Sequence, residues 1–274
     1  LTQKHNYTQS AVSQTIRNYE KEIGLKSVQD VTKNGMEALP GTEPIFEELM
    51  HIRSANTRID QIVSNINNLD SGFIRIGTVQ SIAYNWLPGV LKNFSAEYPN
   101  ITFQLYVDGF QNLTKKLRKK ELDCIFVSQY VAKDFPNLPV GTDELVLVTS
   151  LDHPLADQLT VSFADIDGQD FVLSADDFDY ETGKLFRLNH ITPNVRFRIN
   201  EDYTAIKMVE QGFGITVLPK LLLHNIPFNV CVRSFTEHFR RNLSVAYLDT
   251  PELSPALDKF LTFVTKWAKE CKLI

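Results

Sequence analysis

The chain carries a seven-residue repeat of mostly apolar positions between residues 45 and 70. Isoleucine recurs at every seventh position from Ile45 to Ile66, and a second series follows four residues after each isoleucine. Because alternating spacings of four and three place residues on one face of an α-helix, the repeat predicts a long helix with a single apolar stripe. Thr42, followed by Pro44, indicates where this helix begins.

The rest of that helix is polar, so its apolar stripe needs a partner. A second copy of the chain would bury the stripe most economically and would make the protein a dimer, whereas packing on the chain's own second domain is the alternative. A polar residue at a core position, such as Asn56, commonly fixes register or partner choice. We therefore predict a linker and dimerisation helix over residues 43–70, with contacts through Ile45, Leu49, Ile52, Asn56, Ile59, Val63 and Ile66.

A second amphipathic helix is predicted before this repeat, between Thr8 as N-cap and Gly24 as the residue that ends it. Its apolar side chains fall on one side, and the opposite side presents small hydroxyls, an amide and a guanidinium. Such side chains hydrogen-bond phosphates and base edges, and small residues allow a helix to enter the major groove closely. The alternative is an ordinary helix with a solvated polar face. The apolar side carries Val12, Ile16, Tyr19 and Ile23, and the polar side Ser10, Ser13, Gln14 and Arg17.

Asn34 and Gly35 predict a tight hairpin after this helix, because both residues tolerate positive φ. A small hairpin beside a DNA-reading helix would be a wing, and Lys33 at its tip could contact a phosphate. From these residues alone, a plain surface turn is an equal alternative.

The stretch from Asn6 to Gly24 resembles the second half of the winged helix-turn-helix of LysR-type transcriptional regulators. The family pattern consists of spaced serines followed by isoleucine, glutamate and glycine. Ile16, Glu20 and Gly24 match this pattern, and Ser10 and Ser13 are the serines closest to its serine positions. The resemblance implies a DNA-binding domain over residues 1–42 that begins within the motif, a linker helix through which subunits dimerise, and double-stranded DNA as a partner. The DNA contacts implied are Gln9, Ser10, Ser13, Gln14, Arg17 and Lys33.

Strands and helices alternate in the remainder of the chain. The first strand–helix–strand–helix–strand series predicts a parallel sheet with right-handed crossovers, and a second series follows it. The last strand and the last helix are expected to return to the first sheet. Predicted strands are Phe73–Thr78, Ile101–Val107, Leu122–Val127, Glu144–Thr149, Phe171–Leu173, Val195–Ile199, Ile215–Val217 and Leu243–Leu248, and the last helix is Pro255–Lys269.

Residues 71–274 resemble the effector-binding domain of the same family, which is related in fold to periplasmic binding proteins. The resemblance implies an α/β fold with two lobes, the first from residues 71–144 and 248–274 and the second from residues 145–247. It is carried by Ile74 through Thr78, Leu87 and Pro88 with Phe94, Tyr98 and Pro99, Leu122 and Asp123, His153 through Leu155, and Val209 through Pro219.

Polar residues follow several of these strands, at the sheet edge where α/β proteins bind ligands. Free backbone N–H groups at helix N-termini favour anions there, so we predict a small polar, anionic metabolite. An acid at Glu201 would instead favour a donor, which leaves an amino-bearing ligand open, and Ser81 could serve purely as a helix cap. Family likeness places effector contacts at Ser81, Ser128 and near Glu201. The predicted effector-binding residues are Thr78, Gln80, Ser81, Ser128, Gln129 and Glu201.

Composition excludes several other classes of protein. The net charge of −5 argues against wholesale coating of nucleic acid, and no apolar run or leader suggests a membrane span or a signal peptide. Three separated cysteines and scattered histidines give no metal-ligand spacing, and no catalytic motif appears, so no cofactor, metal or catalytic residue is expected. We predict a cytoplasmic, ligand-responsive regulator that forms a dimer or a tetramer. A solute-binding protein without a DNA-binding role is the alternative, and an enzyme is a further one.

Overall fold

The computed structural model describes residues 9–31, 35–66, 71–174, 181–250, 253–271 and 273. The chain divides into two compact units, residues 1–56 and residues 57–274. Within the described ranges, no helix is long and apolar enough to cross a membrane.

The first unit contains the predicted helix and hairpin. Helix α1 runs over Gln9–Ile23 and is followed by Gly24, whose φ of 69° is the left-handed conformation that glycine adopts at helix ends. Strands β1 (Val28–Val31) and β2 (Gly35–Ala38) pair antiparallel. Residues 32–34, which include the predicted phosphate contact Lys33, lie outside the described residues.

Helix α2 covers Glu43–Ile66 and begins where the sequence predicts. Thr42, just before it, is buried, and its hydroxyl donates hydrogen bonds to the carbonyl oxygens of Leu39 at 2.6 Å and Ser27 at 3.2 Å. Its own carbonyl accepts from the backbone N–H of Ile45 at 3.0 Å. Thr42 therefore joins the end of the hairpin to the first turn of α2.

The second unit has the alternating strands and helices of an α/β fold, as predicted. The largest sheet has the order β4–β3–β5–β11–β6–β10, with β9 also paired to β6, and a separate parallel pair joins β7 to β8. The strands are β3 (Gly72–Thr78), β4 (Ile101–Val107), β5 (Cys124–Ser128), β6 (Asn137–Ser150), β7 (Asp170–Ser174), β8 (Asn194–Ile199), β9 (Thr216–Pro219), β10 (Val230–Ser234) and β11 (Arg240–Tyr247). The helices are α3 (Gln80–Asn85), α4 (Leu87–Glu97), α5 (Phe110–Arg118), α6 (Gln129–Ala132), α7 (Glu181–Asn189), α8 (Asp202–Glu210) and α9 (Pro255–Glu270).

Strand β6 links the two halves of this unit and is much longer than the predicted strand, Glu144–Thr149. Its first half pairs with β11 and its second half pairs with β9 and β10. Pro139 and Gly141 in the first half are residues that normally argue against a strand. Here the pairing skips Val140, because Leu243 lies opposite Gly141 and Ser244 lies opposite Pro139. This bulge accommodates the proline within the ladder.

Strand β11 lies in the largest sheet, between β5 and β6. The last strand therefore returns to the strands of the first series, as predicted, and it begins at Arg240, among the residues that the sequence assigned to the second lobe. Strand β10 was not predicted at all, because each of its five residues is only half-buried and its sequence shows no alternation of apolar and polar positions.

Two sequence signatures of the first sheet have structural roles. The carboxylate of Asp123 accepts from the backbone N–H of Arg75 at 2.7 Å and forms an ion pair with its guanidinium at 2.7 Å, which ties β3 to the turn before β5. Gly77 is packed so tightly that a Cβ there would lie 2.6 Å from Leu122 and 2.8 Å from Leu113. These contacts hold α5 close against the sheet and fix the point where β3 ends.

Candidate functional site

A cavity of about 420 Å³ opens at the carboxyl ends of β3 and β4 and extends to the start of α8. Its volume is within the range of roughly 300–1,000 Å³ that is usual for small-molecule sites. Its wall combines the beginnings of three helices with Arg241 from β11. The described lining residues are Val79, Gln80, Ser81, Val107, Asp108, Gly109, Phe110, Asn112, Ser174, Asn200, Glu201, Asp202, Pro219 and Arg241.

Three of the predicted effector-binding residues, Gln80, Ser81 and Glu201, line this cavity. They come from opposite walls, and the side-chain amide of Gln80 donates to Glu201 Oε1 across the cavity at 3.2 Å. The structure thus brings together residues that are more than a hundred positions apart in the sequence.

The other three predicted residues are not part of the cavity wall. Thr78 is fully buried, and its hydroxyl donates to the carbonyl oxygen of Val79 at 3.1 Å. The Ser128 hydroxyl is buried without a hydrogen-bond partner among the described residues, and exposed Gln129 accepts from Asn242 at 3.1 Å. All three follow or end a strand, but this position alone does not determine which side chain turns towards the cavity.

Arg241 and Asp108 are charged residues of the cavity wall that the sequence analysis missed. Arg241 is 4% exposed and joins four elements of the fold. Nη2 donates to Ser81 Oγ at 2.9 Å and to Asp143 Oδ2 at 2.8 Å, and Nη1 donates to Glu181 Oε2 at 3.1 Å. Asp143 and Glu181 are themselves buried. The guanidinium therefore orients the Ser81 hydroxyl and leaves that hydroxyl's own proton available to a ligand.

The spacing of residues in β11 is a sequence signal for the role of Arg241. Arg241 lies two residues before Leu243 and four before Val245, which are completely buried on the inward face of the strand. An arginine in register with buried residues of a strand is rarely left without an anionic partner. The partners themselves could not be inferred, because Asp143 and Glu181 come from distant parts of the chain.

Glu201 caps helix α8 at the cavity. Its carboxylate accepts from the backbone N–H groups of Tyr203 at 3.0 Å and Thr204 at 2.7 Å, and from the Thr204 hydroxyl at 2.8 Å. Desolvation raises the pKa of Glu201, but these hydrogen bonds and the one from Gln80 outweigh it and hold the pKa below its usual value. The residue is therefore a carboxylate at neutral pH.

Asp108 lies just before helix α5, whose N-cap residue is Gly109. Its Oδ1 accepts from the backbone N–H of Gly109 at 2.8 Å and from the Asn112 side-chain amide at 3.0 Å. Within the described residues, Oδ2 of the same carboxylate accepts no hydrogen bond. One oxygen thus accepts both hydrogen bonds at the start of α5, and the other faces no protein donor in the described part of the chain.

Further contacts join the two walls beside the cavity. The rings of Tyr84 in α3 and Tyr203 in α8 meet edge to face with centroids 5.8 Å apart. The side chain of Asn85 donates to the carbonyl oxygen of Leu221, in the turn after β9, at 2.6 Å. With the Gln80–Glu201 bond, these contacts hold the two walls together in this structure.

The predicted DNA-reading face lies on α1. Gln14 and Arg17 are exposed, Ser13 is half-exposed, and Arg17 Nε donates to the Ser13 carbonyl oxygen at 3.3 Å. Gln9 and Ser10 belong to the same helix, but their side chains lie outside the described residues. Guanidinium and amide groups on one exposed helical face can bond phosphates and base edges, which is the chemistry that this hypothesis requires.

Glu20, one residue of the helix-turn-helix signature, has a structural role. Its Oε1 accepts from the backbone N–H groups of Ser27 at 2.6 Å and Val28 at 3.0 Å, at the beginning of β1. Hydrogen bonds from Ser27 and then Val28 lower the pKa of Glu20 below its ordinary value. The carboxylate therefore ties the hairpin to α1.

The predicted dimerisation stripe on α2 is largely open to solvent in the single chain. Ile52, Ile59 and Val63 are 57%, 56% and 50% exposed, and Asn56 between them is exposed as well. Ile45 and Leu49 are half-buried, and the side chain of Ile66 lies outside the described residues. Large aliphatic side chains spaced along one face in this way favour burial against another surface.

Comparison with known proteins identifies relatives along nearly the whole chain. The family model described as LysR substrate binding domain matches residues 67–269, which include all the described residues that line the cavity. The transcriptional dual regulator GltC of Bacillus subtilis is 28% identical over 270 residues, which cover 94% of this chain and 88% of GltC.

Solved structures share the fold. The effector binding domain of QuiR in complex with shikimate superposes with a TM-score of 0.67 at 24% identity, covering 73% of this chain and 98% of that domain. HinK, a LysR family transcriptional regulator from Pseudomonas aeruginosa, gives a TM-score of 0.64 at 19% identity, covering 97% of this chain and 91% of HinK. At these identities the likeness concerns the fold.

Proposed function

Because the chain belongs to the LysR family of transcriptional regulators, we propose that it binds operator DNA through α1 and senses a small polar metabolite in the cavity lined by Ser81 and Glu201. The observation that carries this proposal is the cavity itself. It lies at the carboxyl ends of parallel strands, where α/β folds bind ligands, and polar groups from both walls converge on it.

An acid group on the ligand has direct support from the cavity wall. The Ser81 hydroxyl can donate to a carboxylate, because the bond that it accepts from Arg241 leaves its own proton available. The shikimate bound by the QuiR domain is a small polar carboxylate, which favours the same class here.

A second copy of the chain is the proposed partner of α2. The exposed apolar face of this helix repeats every seven residues, as parallel or antiparallel helix pairs require. Dimerisation also serves recognition, because two reading helices about 34–36 Å apart can contact successive turns of DNA. The proposed dimer contacts are the predicted stripe residues from Ile45 to Ile66.

We further propose that the protein acts in the cytoplasm and binds its ligand without converting it chemically. Ligand-driven closure of the cavity would change the affinity for DNA, and bound DNA would change the affinity for the ligand by the same factor. The walls already meet through Gln80 and Glu201, so a ligand between them would alter contacts that join the two lobes.

DNA binding is tested by fluorescence anisotropy on the DNA upstream of the protein's own gene, over a series of salt concentrations. We expect the logarithm of the affinity to fall steeply with the logarithm of salt concentration, and Arg17→Ala to weaken binding about tenfold, because a charge-assisted contact is lost. Arg187→Ala, an exposed arginine of the second unit, is the matched control and leaves the affinity unchanged. Affinity equal to that for random-sequence DNA would contradict the proposal.

A further inference from the structure

The charged groups of the cavity wall are mostly acidic. Asp108, Glu201 and Asp202 contribute carboxylates, and Arg241 is the one cation among the described lining residues. That guanidinium already pairs with Asp143 and Glu181, two buried carboxylates behind the wall. The positive charge is thus balanced within the protein by two carboxylates other than Asp108 and Glu201.

Helix N-termini would ordinarily attract an anion to such a cavity, but a carboxylate of the protein lies at the start of two of the three helices, Asp108 beside α5 and Glu201 at α8. Asp108 accepts the N–H of Gly109 at the start of α5, and Glu201 accepts the N–H groups of Tyr203 and Thr204 at the start of α8. The Glu201 cap satisfies free N–H groups of α8, and a negative charge beside a helix N-terminus offsets the helix dipole. The positive ends of α5 and α8, on which the expectation of an anionic ligand partly rests, therefore already face charges of the protein itself.

Asp108 and Glu201 leave acceptor capacity at the cavity that no cation of the described residues uses. Oδ2 of Asp108 accepts nothing from the described residues, and neither Asp108 nor Glu201 forms an ion pair with a lysine, arginine or histidine in that part of the chain. Glu201 instead takes a neutral donor, the Gln80 amide, from the opposite wall at 3.2 Å. The negative field extends to Tyr203, whose pKa is raised by desolvation and also by Tyr84, Asp202 and Glu201.

We infer that the metabolite carries an ammonium group, which binds between Asp108 and Glu201. This inference rests on the proposed function, because the cavity defines the site and the carboxylates determine which charge it accepts. A cationic N–H donor would bond Oδ2 of Asp108 and replace the Gln80 amide at Glu201, forming charge-assisted hydrogen bonds. An acid group on the same molecule would bond Ser81, so the ligand class is a small amino acid or a related zwitterion.

The test uses a methanol extract of the cells that make the protein, and the readout is the shift in the protein's melting temperature. Half of the extract is treated with acetic anhydride, which converts primary amines to uncharged amides. We expect the untreated extract to raise the melting temperature, the active fraction to bind a cation-exchange resin, and acetylation to abolish the shift. A shift that survives acetylation would overturn the inference and leave the regulator proposal standing, whereas no shift from any fraction would overturn both.

Two variants locate the ammonium group. Asp108→Asn and Glu201→Gln keep the size of the side chain and one acceptor oxygen for the start of the helix, but each removes one negative charge. Each is expected to raise the extract concentration needed for half the maximal shift about tenfold, because a hydrogen bond to a charged group is lost. Glu97→Gln, an exposed glutamate of α4, removes the same charge away from the cavity and serves as control. An unchanged response in both cavity variants would contradict the placement.

Discussion

Replacing Arg241 with methionine is expected to lower the free energy of unfolding by about 3–5 kcal/mol, the cost of removing one partner from a buried ion pair. The guanidinium of Arg241 is buried with the carboxylates of Asp143 and Glu181, and both buried carboxylates would lose their cationic partner. Methionine has a similar length and fills similar space, so the loss reports charge and hydrogen bonding more than packing.

Urea denaturation measures this effect, with Arg240→Met as the control. Arg240 is the exposed neighbour on the same strand, so its replacement should change the unfolding free energy by less than about 0.5 kcal/mol. Adding Asp143→Asn and Glu181→Gln to Arg241→Met should recover part of the loss, because the uncompensated charges are then gone. A loss below about 1 kcal/mol for Arg241→Met would mean that this cluster does not join the elements around the cavity.

A double substitution on α2, Ile52→Asp with Ile59→Asp, is expected to convert a dimer into monomers and to weaken operator binding about 100-fold, since one chain then holds only one half-site. Both isoleucines are more than half exposed in the single chain, so their replacement costs little in the monomer. In the proposed dimer they would instead place like charges in an apolar seam.

Analytical ultracentrifugation gives the mass, and Met50→Asp is the matched control. Met50 is 41% exposed on the same helix but lies outside the stripe, so this variant should remain dimeric. If the double variant keeps the mass of the wild type, the stripe has another partner and the dimer proposal fails.

Periodicity determined how much of the fold could be predicted. Helices α1 and α2 and most strands were found because their apolar spacing is regular and their ends carry Thr42, Pro44 or Gly24. Strand β6 was predicted too short because Pro139 and Gly141 look like a turn, and only the pairing with β11 reveals the bulge that accommodates them. Strand β10 has no alternation that would identify it.

The cavity was predictable in position but only partly in composition. The rule that ligands bind at the carboxyl ends of strands led to Gln80, Ser81 and Glu201, which line the cavity, and equally to Thr78, Ser128 and Gln129, which do not. The rule takes no account of the direction in which a side chain points or of its use in capping a helix. Arg241 and Asp108 were missed because their roles depend on contacts between segments that only the folded chain brings together.

The central claim is that one chain couples a metabolite in the cavity to DNA at α1, and the most direct measurement is the operator affinity with and without the methanol extract. We expect the dissociation constant, measured by anisotropy, to change between about 5-fold and 150-fold in the wild type, the usual range of allosteric coupling. Ser95 lies in α4 and is not among the described residues that line the cavity, so Ser95→Ala should respond like the wild type. Ser81→Ala should lose the response, because its hydroxyl lines the cavity. An affinity for DNA that the extract leaves unchanged in the wild type would contradict the account.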